Sequence, residues 1–192
     1  MRVSREQAAL NRARIVEVAA KLFREKGYDG IGVADLMKGA GLTHGGFYGH
    51  FDSKEDLLAE ACAKSLEGSV ARWERIAAEN SPPAALDKIA HSYLSPDHRD
   101  QPGLGCSVTA LGADIARLGA PARAALTGGV KGQVAVLEKL LPEPDAAAAR
   151  QAALVSYAAM VGAMVLARAV DDPALSEEFM QAVMQAVLQR AA

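Results

Sequence analysis

The chain has 192 residues, 51% hydrophobic and 23% charged, a balance that excludes a disordered protein and allows a real core, in one domain or two small ones. The formal net charge of -2 excludes a uniformly basic chain, yet residues 1–51 hold 8 Lys+Arg against 5 Asp+Glu while residues 52–192 hold 13 against 18, so positive charge gathers at the amino end. Two cysteines, Cys62 and Cys106, without a C-x-x-C spacing exclude a disulfide-stapled scaffold and a zinc site, and they fit a reducing cytoplasm.

Helical periodicity recurs along the chain and no strand-like alternation persists, so the fold is expected to be all-α. The basic residues of MRVSREQAALNRARIVEVAA are scattered rather than set ahead of an apolar block, unlike a signal peptide. A first helix runs from Ser4 or Arg5 to Lys26, with Ser4 as cap, Ile15, Ala19, Leu22 and Phe23 on one face, and Gly27 as its stop. A second runs from Val33 to Ala40; Gly41 makes the turn, and a short third helix goes from Thr43 or His44 to Phe51. Ser53 caps a long fourth helix that reaches about Asn80, before Ser81, Pro82 and Pro83 break it.

Beyond it the pattern gives a helix from Ala84 to Leu94, a loop over Ser95 to Gly105, and helices from Cys106 to Leu118, Pro121 to Leu141, Pro144 to Val170 and Pro173 to Arg190. Pro121, Pro144 and Pro173 each fall near a first turn, where a missing N–H costs little. Nine helices in two blocks follow, residues 1–52 and 53–192, joined by the fourth helix without a flexible linker. The apolar run Ala152 to Ala167, broken only by Ser156, is shorter than the roughly 20 residues of a membrane span, so a packing helix is expected and no membrane contact.

The run VADLMKGAGLTHGGFYGHF carries the function. Its apolar positions Val33, Leu36, Met37, Leu42, Phe47 and Phe51 would close a tri-helical core with the first helix, and Gly41 supplies the tight turn of a helix-turn-helix. Thr43 and the free N–H groups behind it can grip a phosphate, with Tyr48, His50 and Lys54 as further donors. Double-stranded DNA is the expected partner.

The longer run GYDGIGVADLMKGAGLTHGGFYGHFDSKEDLLAEA resembles the amino-terminal domain of TetR-family regulators, which pair a Leu-Thr/Ser turn with Tyr-x-His-Phe and a Ser-Lys-Glu opening the next helix; the likeness extends over residues 12 to 60. The resemblance implies a nine-helix TetR-like architecture: a three-helix DNA-binding domain at 1–52 and a helical effector-binding and dimerisation domain at 53–192. It implies a homodimeric repressor that is released from operator DNA by a small-molecule effector. It also implies phosphate contacts from Thr43, Tyr48, His50 and Lys54 and base-edge contacts from His44, Gly45 and Gly46. Gly32, ahead of Val33, stands where the family usually has a Ser or Thr cap, which removes a hydroxyl contact, and Gly45, Gly46 and Gly49 each weaken the recognition helix by about 0.5–1 kcal/mol relative to Ala. His44 is then the main base reader, and DNA shape carries much of the specificity.

In the second block, Phe179, Met180, Val183, Met184 and Val187 form one apolar arc, and Leu154, Ala158, Val161, Gly162 and Val165 another with a small-x-x-x-small spacing. Paired with their copies these two helices would build a four-helix dimer interface, unless both faces are internal core. Trp73, Tyr93, Tyr157, Met160 and Met164 are candidate effector-pocket walls, again against a plain core role. Cys106 follows Gly103-Leu104-Gly105 and falls in the first turn of its helix, where the dipole favours thiolate chemistry. A Gly-Cys pair there resembles that of TetR-type regulators responding to electrophiles or oxidants, so a thiol sensor stands beside a pocket for a neutral ligand; Cys62 reads as packing. An enzyme is not expected, since the sequence holds no H-E-x-x-H, no Gly-x-Ser-x-Gly and no Gly-rich phosphate loop, and no cofactor or metal is implied. An adaptor that has lost its DNA role is a third reading.

Overall fold

The structure is a computed structural model that describes residues 4–191, so the outermost residues of the two expected blocks, 1–3 and 192, lie outside it. Its elements are all helical among the described residues. Helix α1 (Arg5–Lys26) starts where the Ser4 hydroxyl accepts the Gln7 N–H at 3.1 Å and stops at Gly27, whose φ of 74° only glycine adopts cheaply. Helix α2 (Val33–Gly39) ends in a Schellman turn: Leu42 N–H donates to Met37 C=O and Gly41 N–H to Lys38 C=O, both at 2.9 Å, with Gly41 left-handed at φ 71°. The turn thereby aims the next segment away from α2.

That segment, His44–Gly49, is a 3-10 helix, tighter and shorter than the expected α-helix to Phe51. Glycine at three of its six positions removes the side chains and rigidity that would sustain an α-helix. Ile15, Ala19, Phe23, Leu36, Met37, Phe47 and Phe51 are buried together as one tri-helical core, while Val33 and Leu42 are only partly buried.

Helix α3 (Lys54–Glu79), capped by Ser53, runs from this unit into a bundle formed by α4 (Pro82–Tyr93), α6 (Ser107–Ile115), α7 (Ala120–Leu140), α8 (Ala146–Ala169) and α9 (Pro173–Leu188). The expected 95–105 loop contains a one-turn helix α5 (Pro96–Asp100), capped by Ser95, and a 3-10 turn at Pro102–Leu104. Helix α8 is capped by Asp145, which accepts the Ala148 N–H at 2.9 Å, so Pro144 lies ahead of the helix rather than in its first turn. A Cβ on Gly129 would stand 2.5 Å from Leu66 and one on Gly132 2.8 Å from Val70, so glycine lets α7 approach α3 closely.

At 24 residues, α8 is longer than the apolar run implied, and by length and composition it could cross a membrane. It packs instead between α7 and α9, with Ala153, Met160 and Met164 buried and the Tyr157 hydroxyl donating to Gln133 Oε1 at 2.7 Å.

Candidate functional site

Around the His44–Gly49 segment the structure separates a buried anchor from exposed side chains. Phe47 is 0% exposed, packed against Phe51 at 5.7 Å between ring centroids, whereas Tyr48 is 70% exposed. Thr43, His44, Gly45 and Gly46 are also exposed, and Thr43 caps the segment without its hydroxyl accepting a hydrogen bond, which leaves that hydroxyl free for an outside partner. His50 is half-buried beside Phe51. Lys54, first residue of α3, places its ammonium 4.3 Å over the Tyr28 ring. Gly32 is exposed at the start of α2, and Val33 is half-buried behind it.

Sequence reasoning missed Arg14, an exposed residue of α1 whose guanidinium lies 3.3 Å from where a Cβ on Gly41 would be. It adds a cation beside the turn. Its only sequence cue was its place opposite the apolar face of α1. Arg12, by contrast, is already engaged, ion-paired with Glu60 and stacked over Phe51 at 4.6 Å.

Side chains and backbone also tie this unit to the bundle. Asp114 of α6 accepts the Tyr28 N–H at 2.9 Å, and Glu55 at the start of α3 accepts the Gly119 N–H at 2.8 Å. Arg24 of α1 donates to the Gly103 carbonyl and, at 2.7 Å, to the Ser65 hydroxyl. Movement of the 95–106 segment therefore bears directly on α1.

That segment roofs a cavity of about 690 Å³ lined by α1, α3 and the end of α4, among them Arg24, Ser65, Ser69, Arg72, Tyr93 and Cys106. Of the expected walls only Tyr93 and Cys106 line it. Trp73, Tyr157, Met160 and Met164 are buried in the core instead, because the cavity opens on the α1 side of α3 rather than inside the bundle. The lining is also more polar and more cationic than the sequence indicated.

His98 holds the roof in place. Its Nδ1–H donates to the Tyr93 carbonyl at 2.6 Å and its Nε2 accepts the Cys106 N–H at 2.9 Å, an arrangement that requires neutral imidazole. Burial, together with the nearby Arg168 and Arg72 charges, lowers its pKa to about 4, against a smaller upward pull from the Tyr93 carbonyl. A Cβ on Gly105 would meet the His98 ring at 2.5 Å, which accounts for glycine before Cys106. Arg168 of α8 completes the roof, donating to the carbonyls of His98 and Arg99 and to the Thr109 hydroxyl.

Between about pH 6.5 and pH 4 the unfolded chain binds a proton at His98 that the folded chain refuses, so folding stability falls as pH drops through that window. The melting temperature of wild type should therefore lose ground relative to His98→Gln as pH goes from 7.5 to 5. A constant difference between the two proteins across that range would contradict this account.

Cys106 is not in the first turn of α6 but is its N-cap, 7% exposed. The Tyr93 hydroxyl close to it is buried without a hydrogen-bond partner, and burial pushes that phenol well above its ordinary pKa. Burial, and secondarily the proximity of Cys106, lifts the Cys62 thiol to about 12, in keeping with a packing role.

On the bundle's outer side, Leu154, Val155, Val165 and Leu166 of α8 are 45%, 47%, 42% and 44% exposed, with Ala158 exposed and Val161 and Gly162 half-buried between them. Phe179, Val183 and Met184 of α9 are partly exposed. Met180 and Val187 are corrections to the expected interface, since at 1% and 2% exposure they fill this protomer's own core and offer nothing to a partner. No group of three or more potential metal ligands occurs among the described residues.

Residues 15–61 match the profile described as "Bacterial regulatory proteins, tetR family". The HTH-type transcriptional repressor KstR2 of Mycobacterium tuberculosis is 34% identical over 89 residues, 46% of this chain and 44% of that repressor. The chain's match thus spans about half the length of such curated relatives. Among solved structures, the reduced form of Escherichia coli NemR superposes with a TM-score of 0.78 at 23% identity, covering 92% of this chain and 94% of the other. FadR of Bacillus subtilis, solved in complex with stearoyl-CoA, superposes with a TM-score of 0.65 at 18% identity over 90% of this chain and 97% of the other. At such identities the likeness is one of fold.

Proposed function

We propose that this chain, whose residues 15–61 match the tetR-family profile, is a ligand-responsive transcriptional regulator, a homodimeric repressor that leaves operator DNA when a small molecule occupies its cavity. The observation that carries this is the recognition segment, whose one buried side chain, Phe47, anchors a row of exposed polar groups and open backbone. Residues 1–52 act as the DNA-binding unit and 53–192 as the effector-binding and dimerisation unit. Thr43, Tyr48, His50 and Lys54 grip phosphates, joined by Arg14. His44 reads a base edge from a helix start where Gly45 and Gly46 let the backbone come close. Gly32 and Val33 present the amino end of α2 to the phosphate chain.

The cavity, of a size that suits a metabolite, is the effector site, and the stearoyl-CoA bound by FadR supports ligand binding in a fold of this kind. Ligand occupancy is favoured over thiol chemistry at Cys106, because the thiol is nearly enclosed. The tetR-family match over residues 15–61 supports a role in regulation rather than catalysis.

Gel-shift titration against the DNA flanking its own gene tests the assignment. The double variant Tyr48→Phe, Lys54→Ala should bind about tenfold to a hundredfold more weakly, and the logarithmic salt slope should shrink by about one for the lost phosphate contact. Wild-type affinity in the variant would sink the assignment.

A further inference from the structure

We propose that the cavity binds a small organic anion, a carboxylate or a phosphate ester, held between Arg24 of α1 and Arg72 of α3; this rests on the ligand-responsive reading above and names the chemistry of its ligand. Charge is the starting point. Arg24, Arg72 and Arg168 converge on the segment that roofs the cavity, and none of the three is in an ion pair among the described residues. Three carboxylates oppose them: Glu25, next to Arg24 and paired with Lys21 at 3.8 Å, Asp97 at the exposed rim, and Asp100, which is engaged by Arg99 at 2.7 Å. Neutral His98 adds no charge at neutral pH.

Arg24 is half-buried, and burial lowers its pKa from the ordinary arginine value, so this cation is held partly out of water with Glu25 acting on it only at longer range than an ion pair. A guanidinium carries five N–H donors. The Gly103 carbonyl and the Ser65 hydroxyl take three, which leaves donors unspent. Arg72 makes no side-chain hydrogen bond among the described residues and is close enough to His98 to depress its pKa.

Ser65, Ser69 and Arg72 follow one another at i, i+4 and i+7, so they share one face of α3. Ser92, Ser95 and Gln101 line the same space with neutral donors. Planar guanidinium forks fit carboxylate and phosphate oxygens, and the surrounding hydroxyls fit a polar body. At about 690 Å³ the space is larger than an inorganic ion needs.

Because one of the two cations belongs to α1, an anion that engages it acts on the DNA-binding unit at first hand. Ile15, Ala19 and Phe23 of that helix are buried in the core that seats Phe47. Drawing Arg24 toward a ligand competes with its bonds to Gly103 and Ser65 and shifts the far end of the recognition unit's supporting helix.

The test uses the full chain and its single tryptophan, Trp73, which packs edge-on against Tyr93 at 6.0 Å and so reports on the cavity wall. Citrate, glycerol 3-phosphate and glycerol are titrated at ionic strength matched with sodium chloride, without DNA present. Saturable fluorescence change with citrate or glycerol 3-phosphate, absent with glycerol and salt, is expected, with apparent Kd raised about tenfold or more in Arg72→Gln and less in Arg72→Lys. A response to citrate alone assigns a carboxylate ligand, and one to glycerol 3-phosphate alone a phosphate ester. No saturable response to either anion, or equal affinity in wild type and a folded Arg72→Gln, overturns the proposal. Gel shift of wild type without any anion is read separately, so loss of the regulator assignment and loss of the anion site cannot be confused.

Discussion

Phe47→Ala should abolish specific DNA binding, a loss of more than a hundredfold, while leaving most of the helical bundle folded. The recognition segment has little else to hold it: six residues in 3-10 geometry, three of them glycine, and a cap at Thr43 that accepts no hydrogen bond. Phe47 is its one buried residue, in contact with Phe51 and, edge-on at 5.2 Å, with Tyr48. Truncating a buried phenylalanine to alanine costs about 3–5 kcal/mol. That is far more than a 3-10 turn of this composition can make up from its own hydrogen bonds.

The protein should melt lower by roughly 10 °C, at about 2–4 °C per kcal/mol for a chain of this size. Phe47→Leu, which keeps apolar bulk, should fall between the two in both assays. Wild-type DNA affinity in Phe47→Ala would mean that DNA itself, and not the core, organises the segment.

What could be read from the sequence here was local. Ser4, Ser53, Gly27 and Gly41 act on their own neighbours, so the ends of α1, α2 and α3 came within a residue or so of the structure. Where two local cues competed, the reading slipped: Pro144 looked like a helix start, but the Asp145 carboxylate takes that role one residue later. The α-helix expected over the glycine-rich segment failed for a related reason, since periodicity registers the placement of Phe47 and Phe51 but not the pitch between them.

The cavity was hidden for a different reason. Arg24, Arg72 and Arg168 are separated by dozens of residues, and in a sequence a charged residue reads as surface. Only the fold shows Arg24 and Arg168 donating to the carbonyls of the roof. In the opposite sense, Met160 and Met164 are apolar residues that pattern alone cannot divide between a pocket wall and plain core. The apolar arc of α9 likewise mixes fully buried Met180 and Val187 with partly exposed Val183 and Met184, a division set by the packing of α8 against α9.

Leu154→Glu combined with Val165→Glu should convert the protein from dimer to monomer at micromolar concentration and weaken operator binding more than a hundredfold. Leu154, Ala158, Gly162 and Val165 succeed one another at four-, four- and three-residue steps, which aligns them along one side of α8, with Val155 and Leu166 beside them. A Cβ added to Gly162 would meet nothing within 4 Å, so that side is open in the protomer and a second backbone could approach it. Burying four half-exposed Leu and Val side chains on each of two protomers yields several kcal/mol, at about 1 kcal/mol each. Two carboxylates desolvated against their own copies would reverse that gain.

Within the protomer both positions are solvent-facing, so the melting temperature of the isolated variant should change little once the loss of dimer is allowed for. The DNA effect follows from geometry: two half-sites held by one rigid dimer benefit from a high effective concentration, and separate monomers do not. Sedimentation velocity and gel shift on the same preparations decide the matter. A double variant that stays dimeric would place the interface elsewhere, and one that is monomeric yet binds the operator as wild type does would remove dimer spacing from the basis of recognition.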